Sequence, residues 1–174
     1  VTSWLQNITE TGTYYVSGNS TAIANNILVN CQQVEYSNDF VYVHTEGVPA
    51  YATGPFLDGN PSNATAQGAI FKFPLNPVAN TGTPMTTTGG NIGVFINGVA
   101  LFDYRDGVAW NPNTSALCGG PGNSPCPGGL GATMDWNRDA VPAEMGGFDC
   151  SKAHPAMGNY HHHQNPSAFN LDLT

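Results

Sequence analysis

Apolar positions along this chain fall in short runs with a spacing of two, punctuated by Gly, Pro and Asn, and the three-to-four spacing of an amphipathic helix is scarce. Phe40-Val-Tyr-Val-His44 and Ile70-Phe-Lys-Phe73 are β-branched or aromatic runs bounded by turn formers, as strands of a sandwich or barrel are. Tyr14 to Val16 and Ile27 to Val29 read as further strands, and Phe169, Leu171 and Leu173 alternate at the end. The sharpest element is a hairpin. Ile92 to Ile96 and Val99 to Asp103 flank Asn97-Gly98, a dipeptide suited to the positive φ angles of a type I′ turn. Gly47 to Ala50, Pro74 to Pro84 and Pro121 to Pro127 read as loops, because proline brings no N–H to a ladder. Only Asp135 to Met145 has room for a short helix, and Pro142 has to sit in its first turn or break it. The pattern predicts an all-β fold: an antiparallel β-sandwich with long Gly/Pro-rich loops and at most one or two short helices.

Composition narrows the function classes. A length of 174 residues suits a single domain spanning 1–174, with 1–26 read as an N-terminal extension or donated strand. Charged residues make up only 9%, and four cations against twelve carboxylates leave a net charge of −8. Such a chain does not neutralise a phosphate backbone, so no nucleic acid is expected as partner. No run approaches a membrane helix, and no transmembrane segment is expected. An opening at Val1 rather than Met fits a chain whose leader has been removed. Four cysteines, and Asn7, Asn19, Asn63 and Asn113 as glycosylation acceptors, fit an oxidising compartment. The expectation is a secreted, glycan-bearing extracellular or cell-surface protein.

Candidate chemistry concentrates in the histidines. Three are consecutive, His161, His162 and His163. In an extended strand His161 and His163 share a face roughly 7 Å apart at Cα, with His162 opposite. His154 can return across a Pro-Ala-Met-Gly turn as a third ligand, and His44, at its strand end, can supply another. Such a set suits a transition metal, copper or zinc. Polar hydrogen bonding in a crowded turn is the plainer alternative. Asp135, Asp139, Glu144 and Asp149 approach this segment and could orient its imidazoles, with Asp149 and Tyr160 the candidates for that role in a metal-dependent enzyme, but a helix-end or turn role is the plainer reading of each carboxylate. Cys118 and Cys126 enclose a flexible Gly/Pro segment and are expected to bridge locally, leaving Cys31 to pair with Cys150; ligation of metal by thiolate is the alternative. Asp106-Gly107 reads as a turn and Arg105 as a surface ion pair. Trp110, Trp136 and Tyr104 could serve as stacking platforms for carbohydrate. No catalytic carboxylate pair, GxSxG, HExxH or phosphate loop occurs.

Gly158-Asn-Tyr160-His161-His162-His163, preceded by Phe148-Asp-Cys150 and His154-Pro155, resembles the signature of the YHYH-domain family. Val41 to Pro49, Gly54-Pro55, Gly59-Asn-Pro61, Phe71 to Pro74 and Ile92 to Val99 fall in the order that family shows, a resemblance over roughly 27–167. The third motif position is His162 where the family usually has Tyr. The resemblance implies a secreted or surface protein and no particular activity. The expectation is a non-catalytic structural or surface protein, in one form a self-assembling filament or coat subunit. Trp4, Ile8, Tyr14 and Tyr15 could drive self-association by β-strand addition, against ordinary pairing within the chain. The alternative is a metal-dependent extracellular enzyme or metal-handling protein using the same histidines.

Overall fold

The alternating runs become twelve strands among the described residues, which are 3–58, 63–129 and 134–167 of the computed structural model. Strands β1 (Thr11–Tyr14) and β2 (Ile23–Leu28) form one antiparallel pair. Strands β3 (Cys31–Tyr36), β4 (Phe40–Thr45) and β5 (Ala69–Pro74) form an antiparallel sheet in that order. Strands β6 (Asn91–Val94), β7 (Ala100–Phe102), β11 (Ala153–Ala156) and β12 (Asn159–His162) form a sheet in the order β11-β12-β7-β6. Strand β8 (Arg105–Asn111) lies between β9 (Ala116–Cys118) and β10 (Asn137–Asp139). The fold is all-β, as the alternation predicts. Among the described residues it is built as four small sheets, with every pairing between these strands antiparallel except β12 on β7.

The expected helix shrinks to α1 (Ala140–Glu144) and a following 3-10 turn, Met145–Gly147. Asp139 caps it by accepting from Val141 N at 2.9 Å, and Pro142 sits in the first turn, where its missing N–H costs nothing. Gly147 then fixes where this short helix lies. A Cβ there would stand 2.3 Å from Asp58 Cβ, so only glycine permits the contact.

Small residues and satisfied polar groups share the interior. Val29, Val48, Ala64, Val99, Ala153 and Tyr160 form the hydrophobic core, with Ile27, Tyr51 and Phe56 packed against it. Thr45, Thr53, Asn97, Asp103, Asp149 and three of the histidines are buried beside them. Such an interior is tolerable only because its polar atoms are paired. Thr45 Oγ1 donates to Asn30 O at 3.0 Å, and Asp149 accepts from Ser151 N at 2.9 Å and Gly54 N at 3.1 Å.

Several sequence-based expectations are corrected. The hairpin forms, but Gly98 alone takes a positive φ (78°): Gly98 N bonds Phe95 O and Phe95 N bonds Val99 O, a three-residue loop rather than a type I′ turn. Asn97 is instead buried, its side chain accepting from Val99 N at 3.2 Å. Asp106-Gly107 is no terminal turn; it lies inside β8, where the register against β10 shifts. Nor is Arg105 at the surface. It pairs with Asp103 at 2.5 Å, with both side chains buried, while Arg138 takes Asp106. Strand β3, with its Gln and Glu positions, lacks an apolar run long enough to be read, and Pro155 enters strand β11, where the edge position needs no inner ladder N–H. The stretch with Phe169, Leu171 and Leu173 lies outside the described residues.

The N-terminal segment pairs within its own chain. Leu5 N bonds Ile96 O at 3.0 Å, Asn7 N bonds Cys31 O at 2.9 Å, and the Trp4 ring stacks on Phe73 at 6.3 Å. Tyr15 N and Thr53 N close the end of β1 onto Thr53 O and Thr13 O.

Cys118 and Cys126 are bridged, as their spacing predicts. Cys31 and Cys150 are not: Cys31 is fully buried at the start of β3, with its Sγ 3.5 Å from Ile96 O, and Cys150 is exposed in the turn before β11. Elimination paired them by default, but their surroundings differ completely. Burial also pushes the Cys31 thiol up to about 11, so it carries little thiolate. In native protein a thiol-alkylating reagent is therefore expected to label Cys150 within minutes and Cys31 only on unfolding. Peptide mapping that recovers a Cys31–Cys150 bridge would overturn this assignment.

Candidate metal centre

The site begins with a tight turn. Strands β11 and β12 are joined by Met157-Gly158, both at positive φ (49° and 86°), which sets a register pairing His154 directly with His161. Gly158 is held in place because a Cβ there would lie 2.1 Å from Thr65 Oγ1. Directly opposed residues project to the same face, and His163, two positions beyond His161, joins them. One ligand atom from each of His154, His161 and His163 lies within 4.8 Å of the others.

Each of these rings is oriented through the same nitrogen. His154 Nδ1–H donates to Asp58 Oδ2 at 3.1 Å, His161 Nδ1–H to Asn159 O at 2.8 Å, and His163 Nδ1–H to Asp103 O at 2.6 Å. The last contact follows from the parallel pairing of β12 with β7, which carries the Asp103 carbonyl past His163. With Nδ1 donating in all three, Nε2 is the free lone pair, the arrangement that metal-bound histidines share. His161 Nε2 and His163 Nε2 stand 3.1 Å apart. Two bare lone pairs repel at that separation; two ligands on one ion, at about 2.0–2.1 Å each, sit about 3–3.4 Å apart.

Glu144, at the end of α1, places Oε2 at 3.2 Å from His154 Nε2 and 3.4 Å from His163 Nε2. That buried oxygen nevertheless makes no hydrogen bond. Phe102 stacks on His161 at 3.7 Å between centroids, and Phe148 packs edge-on against His154 at 5.0 Å, so two aromatic rings wall the cluster. The open side faces a cleft of about 910 Å³ bounded by the Gly119-Gly120 segment next to the disulfide.

Burial dominates the protonation of these rings. It holds His161 down to about 3 and also lowers His163, so both are neutral and available as ligands at neutral pH. His154 goes the other way: burial would lower it, but Glu144 and Asp58 outweigh that and raise it.

The opposite face of β12 does different work. His162 is fully buried, with its Nδ1–H donating to Lys152 O at 3.1 Å, its Nε2 accepting from Tyr51 O–H at 3.0 Å, and a pKa pressed by burial down to about 4. Tyr160 O–H donates to Asp149 Oδ2 at 2.8 Å. Burial raises Asp149 in spite of that bond and its bonds to Gly54, Ser151 and Ala153. Asp149 and Tyr160 therefore anchor the hairpin and do not orient the three imidazoles.

The histidine trio inferred from spacing is thus brought together, and His162 faces away as expected. His44 is not part of it: it belongs to the β3-β4-β5 sheet, where Nε2 meets Glu35 Oε2 at 2.9 Å. Of the four carboxylates near the histidine segment, Glu144 alone is shown reaching the rings, while Asp139 caps α1. Asp58 went unnoticed in the sequence because it stands 96 residues before His154. Trp110, Trp136 and Tyr104 are exposed on or beside the β8 sheet, apart from the cluster.

The sequence model of the family described as YHYH protein matches residues 70–174, which include every strand of the β11-β12-β7-β6 sheet and all three histidines. The chain belongs to the YHYH family. The match begins at Ile70, so the Val41 to Pro49, Gly54-Pro55 and Gly59-Asn-Pro61 segments lie outside it. No curated protein and no solved structure matches the chain. In the YHYH motif as it stands here, the first and third positions (Tyr160, His162) face the interior and the second and fourth (His161, His163) face the cleft.

A pH dependence follows for the metal-free protein. His161, His162 and His163 all have folded pKa values below the unfolded one of about 6.5, so their contribution is fully present above that pH and is lost as pH falls, for His161 and His162 toward about 3 and about 4. His154, raised, stabilises below about 6.5 and stays constant through this window; Asp149, raised, gains a proton and offsets part of the loss. Each depressed histidine costs about 1.4 kcal/mol per pH unit in its window, so unfolding by urea at pH 7.5 and 5.0 is expected to differ by several kcal/mol. An unchanged midpoint would show that these rings are not dry in the folded state.

Proposed function

We propose that this chain is a secreted surface protein of the YHYH family whose β scaffold holds one transition-metal ion, zinc or copper, at His154, His161 and His163. The observation that carries the reading is the shared orientation of the three rings: every Nδ1 is taken by an acceptor from the surrounding fold, and one ligand atom from each ring lies within 4.8 Å of the others. A histidine cluster serving only as a polar network has no reason to leave three acceptor lone pairs facing one another. The intact Cys118–Cys126 bridge supports an oxidising compartment. Asn19, Asn63 and Asn113 are exposed acceptors for glycans, whereas the Asn7 side chain already donates to Glu10 O and Val29 O. Because the N-terminal segment pairs within its own chain, self-association into a filament or coat would have to use another edge.

A metal-dependent extracellular enzyme is the second reading, favoured by the cleft onto which the three rings open. The two readings share the ion and differ in whether an exchangeable ligand occupies the cleft side.

Metal analysis of full-length protein purified without an affinity tag or added metal tests both. About one equivalent of zinc or copper per chain is expected, lost in H154A, H161A and H163A. H162Q is expected to keep the metal while lowering the melting temperature, since His162 faces the interior. Saturating metal at a thousandfold excess over Kd should add about 4 kcal/mol to stability. A native protein that takes up no ion, or equal loss in all four variants, would overturn the proposal.

A further inference from the structure

We infer that Glu144 is a fourth ligand of this centre and that it selects a divalent ion, bound by three imidazole nitrogens and one carboxylate oxygen, over a cuprous one. The inference rests on the metal reading above and adds a donor that the histidine pattern does not contain.

Three observations place Glu144 in the donor set. Its Oε2 is buried and makes no hydrogen bond, which is costly for a carboxylate oxygen unless a cation takes the lone pair. It lies 3.2 Å from His154 Nε2 and 3.4 Å from His163 Nε2, separations that two ligands on one ion adopt when each bond is about 2.0–2.2 Å. In the neutral rings those nitrogens carry no proton to offer it, since Nδ1 of each already donates, to Asp58 and to the Asp103 carbonyl. The position of Glu144 is also fixed by packing: the Asp139 cap starts α1, and Gly147 abuts Asp58 just past its end.

The competing explanation is a second proton on His154, making an imidazolium between Asp58 and Glu144. It accounts for one oxygen and one ring, but it leaves the 3.1 Å approach of His161 Nε2 to His163 Nε2 without a cation. An ion held between these rings and the carboxylate accounts for both.

The consequence is selectivity. Three neutral imidazoles alone suit a soft monovalent copper ion as well as a divalent one. A carboxylate is a hard, anionic donor, which favours a divalent charge and oxygen-tolerant ions such as zinc or cobalt(II).

The test uses metal-free full-length protein and its E144Q and E144D variants, each checked for native circular dichroism and melting temperature. Zinc affinity is measured by calorimetry with a competing chelator, coordination by the visible spectrum of the cobalt(II) form, and cuprous affinity by competition with a chromophoric chelator. We expect E144Q to bind zinc and cobalt(II) about 10- to 100-fold more weakly with shifted cobalt bands, and cuprous ion within about threefold of wild type. E144D, which keeps the charge but shortens the reach by one methylene, should also lose zinc affinity; if E144Q does not fold, E144D carries the test. Wild-type zinc affinity and an unchanged cobalt spectrum in the folded variants would remove Glu144 from the ligand set while leaving the three-histidine site standing. Tighter zinc binding in E144Q would favour the imidazolium. A wild-type chain that binds none of these ions would overturn both this inference and the metal reading.

Discussion

A two-residue turn decides where three imidazoles go. With Met157 and Gly158 both at positive φ, β11 folds back on β12 in the one register that sets His154 against His161, and a slip of one residue would send His161 and His163 to the other face. The contact of Gly158 with Thr65 protects that register, because any side chain at 158 would collide with a residue from a different part of the chain. Site geometry therefore depends on a backbone conformation that is supported from outside the hairpin.

The parallel pairing of β12 with β7 makes a second demand. It puts the Asp103 carbonyl under His163, while the Asp103 side chain is tied down by Arg105 and by Thr87 at 2.8 Å. Burial raises the Asp103 carboxyl, but the bonds from Arg105 and Thr87 outweigh it and hold the group below its usual range. The ion pair so formed is largely buried, and its structural value lies in fixing the carbonyl that orients a histidine rather than in its Coulomb energy. The same economy appears on the far side of the strand, where Asp149 collects Tyr160 and three backbone N–H groups. Buried polar groups thus form two layers around β12, one aiming the rings and one anchoring their strand.

How much of this was legible depends on sequence distance. The alternation of His161 and His163 and the return of His154 needed only the period of a strand and a turn, so the trio could be found from spacing alone. Strands β4 and β5 were legible for the same reason, since both are apolar or aromatic runs ended by turn formers. Asp58, the Asp103 carbonyl, Phe102 and Tyr51 could not be found that way, because they reach the histidines through pairings across 59 to 111 residues or through a backbone atom that carries no sequence signal. Cys31 with Cys150 shows the opposite error: elimination among four cysteines ignores burial, and burial separates these two. Arg105 misled for a related reason, since an arginine in a turn-rich stretch reads as solvent-exposed until its buried partner is seen.

The motif itself acquires a physical meaning from the strand. Positions one and three of Tyr160-His161-His162-His163 must fill the interior and find hydrogen-bond partners there; positions two and four must present nitrogen to the cleft. A change at the third position is then constrained by volume and by polarity, not by ligand chemistry. His162 meets both constraints, donating to Lys152 O and accepting from Tyr51, as it packs edge-on against Phe95 at 5.4 Å. A tyrosine in its place would bring one hydroxyl to the same buried pocket and leave the facing pair untouched. The two halves of the motif can therefore vary under separate pressures: the interior half answers to the Tyr51, Asp149 and Lys152 groups, and the cleft half answers to whatever the imidazoles hold.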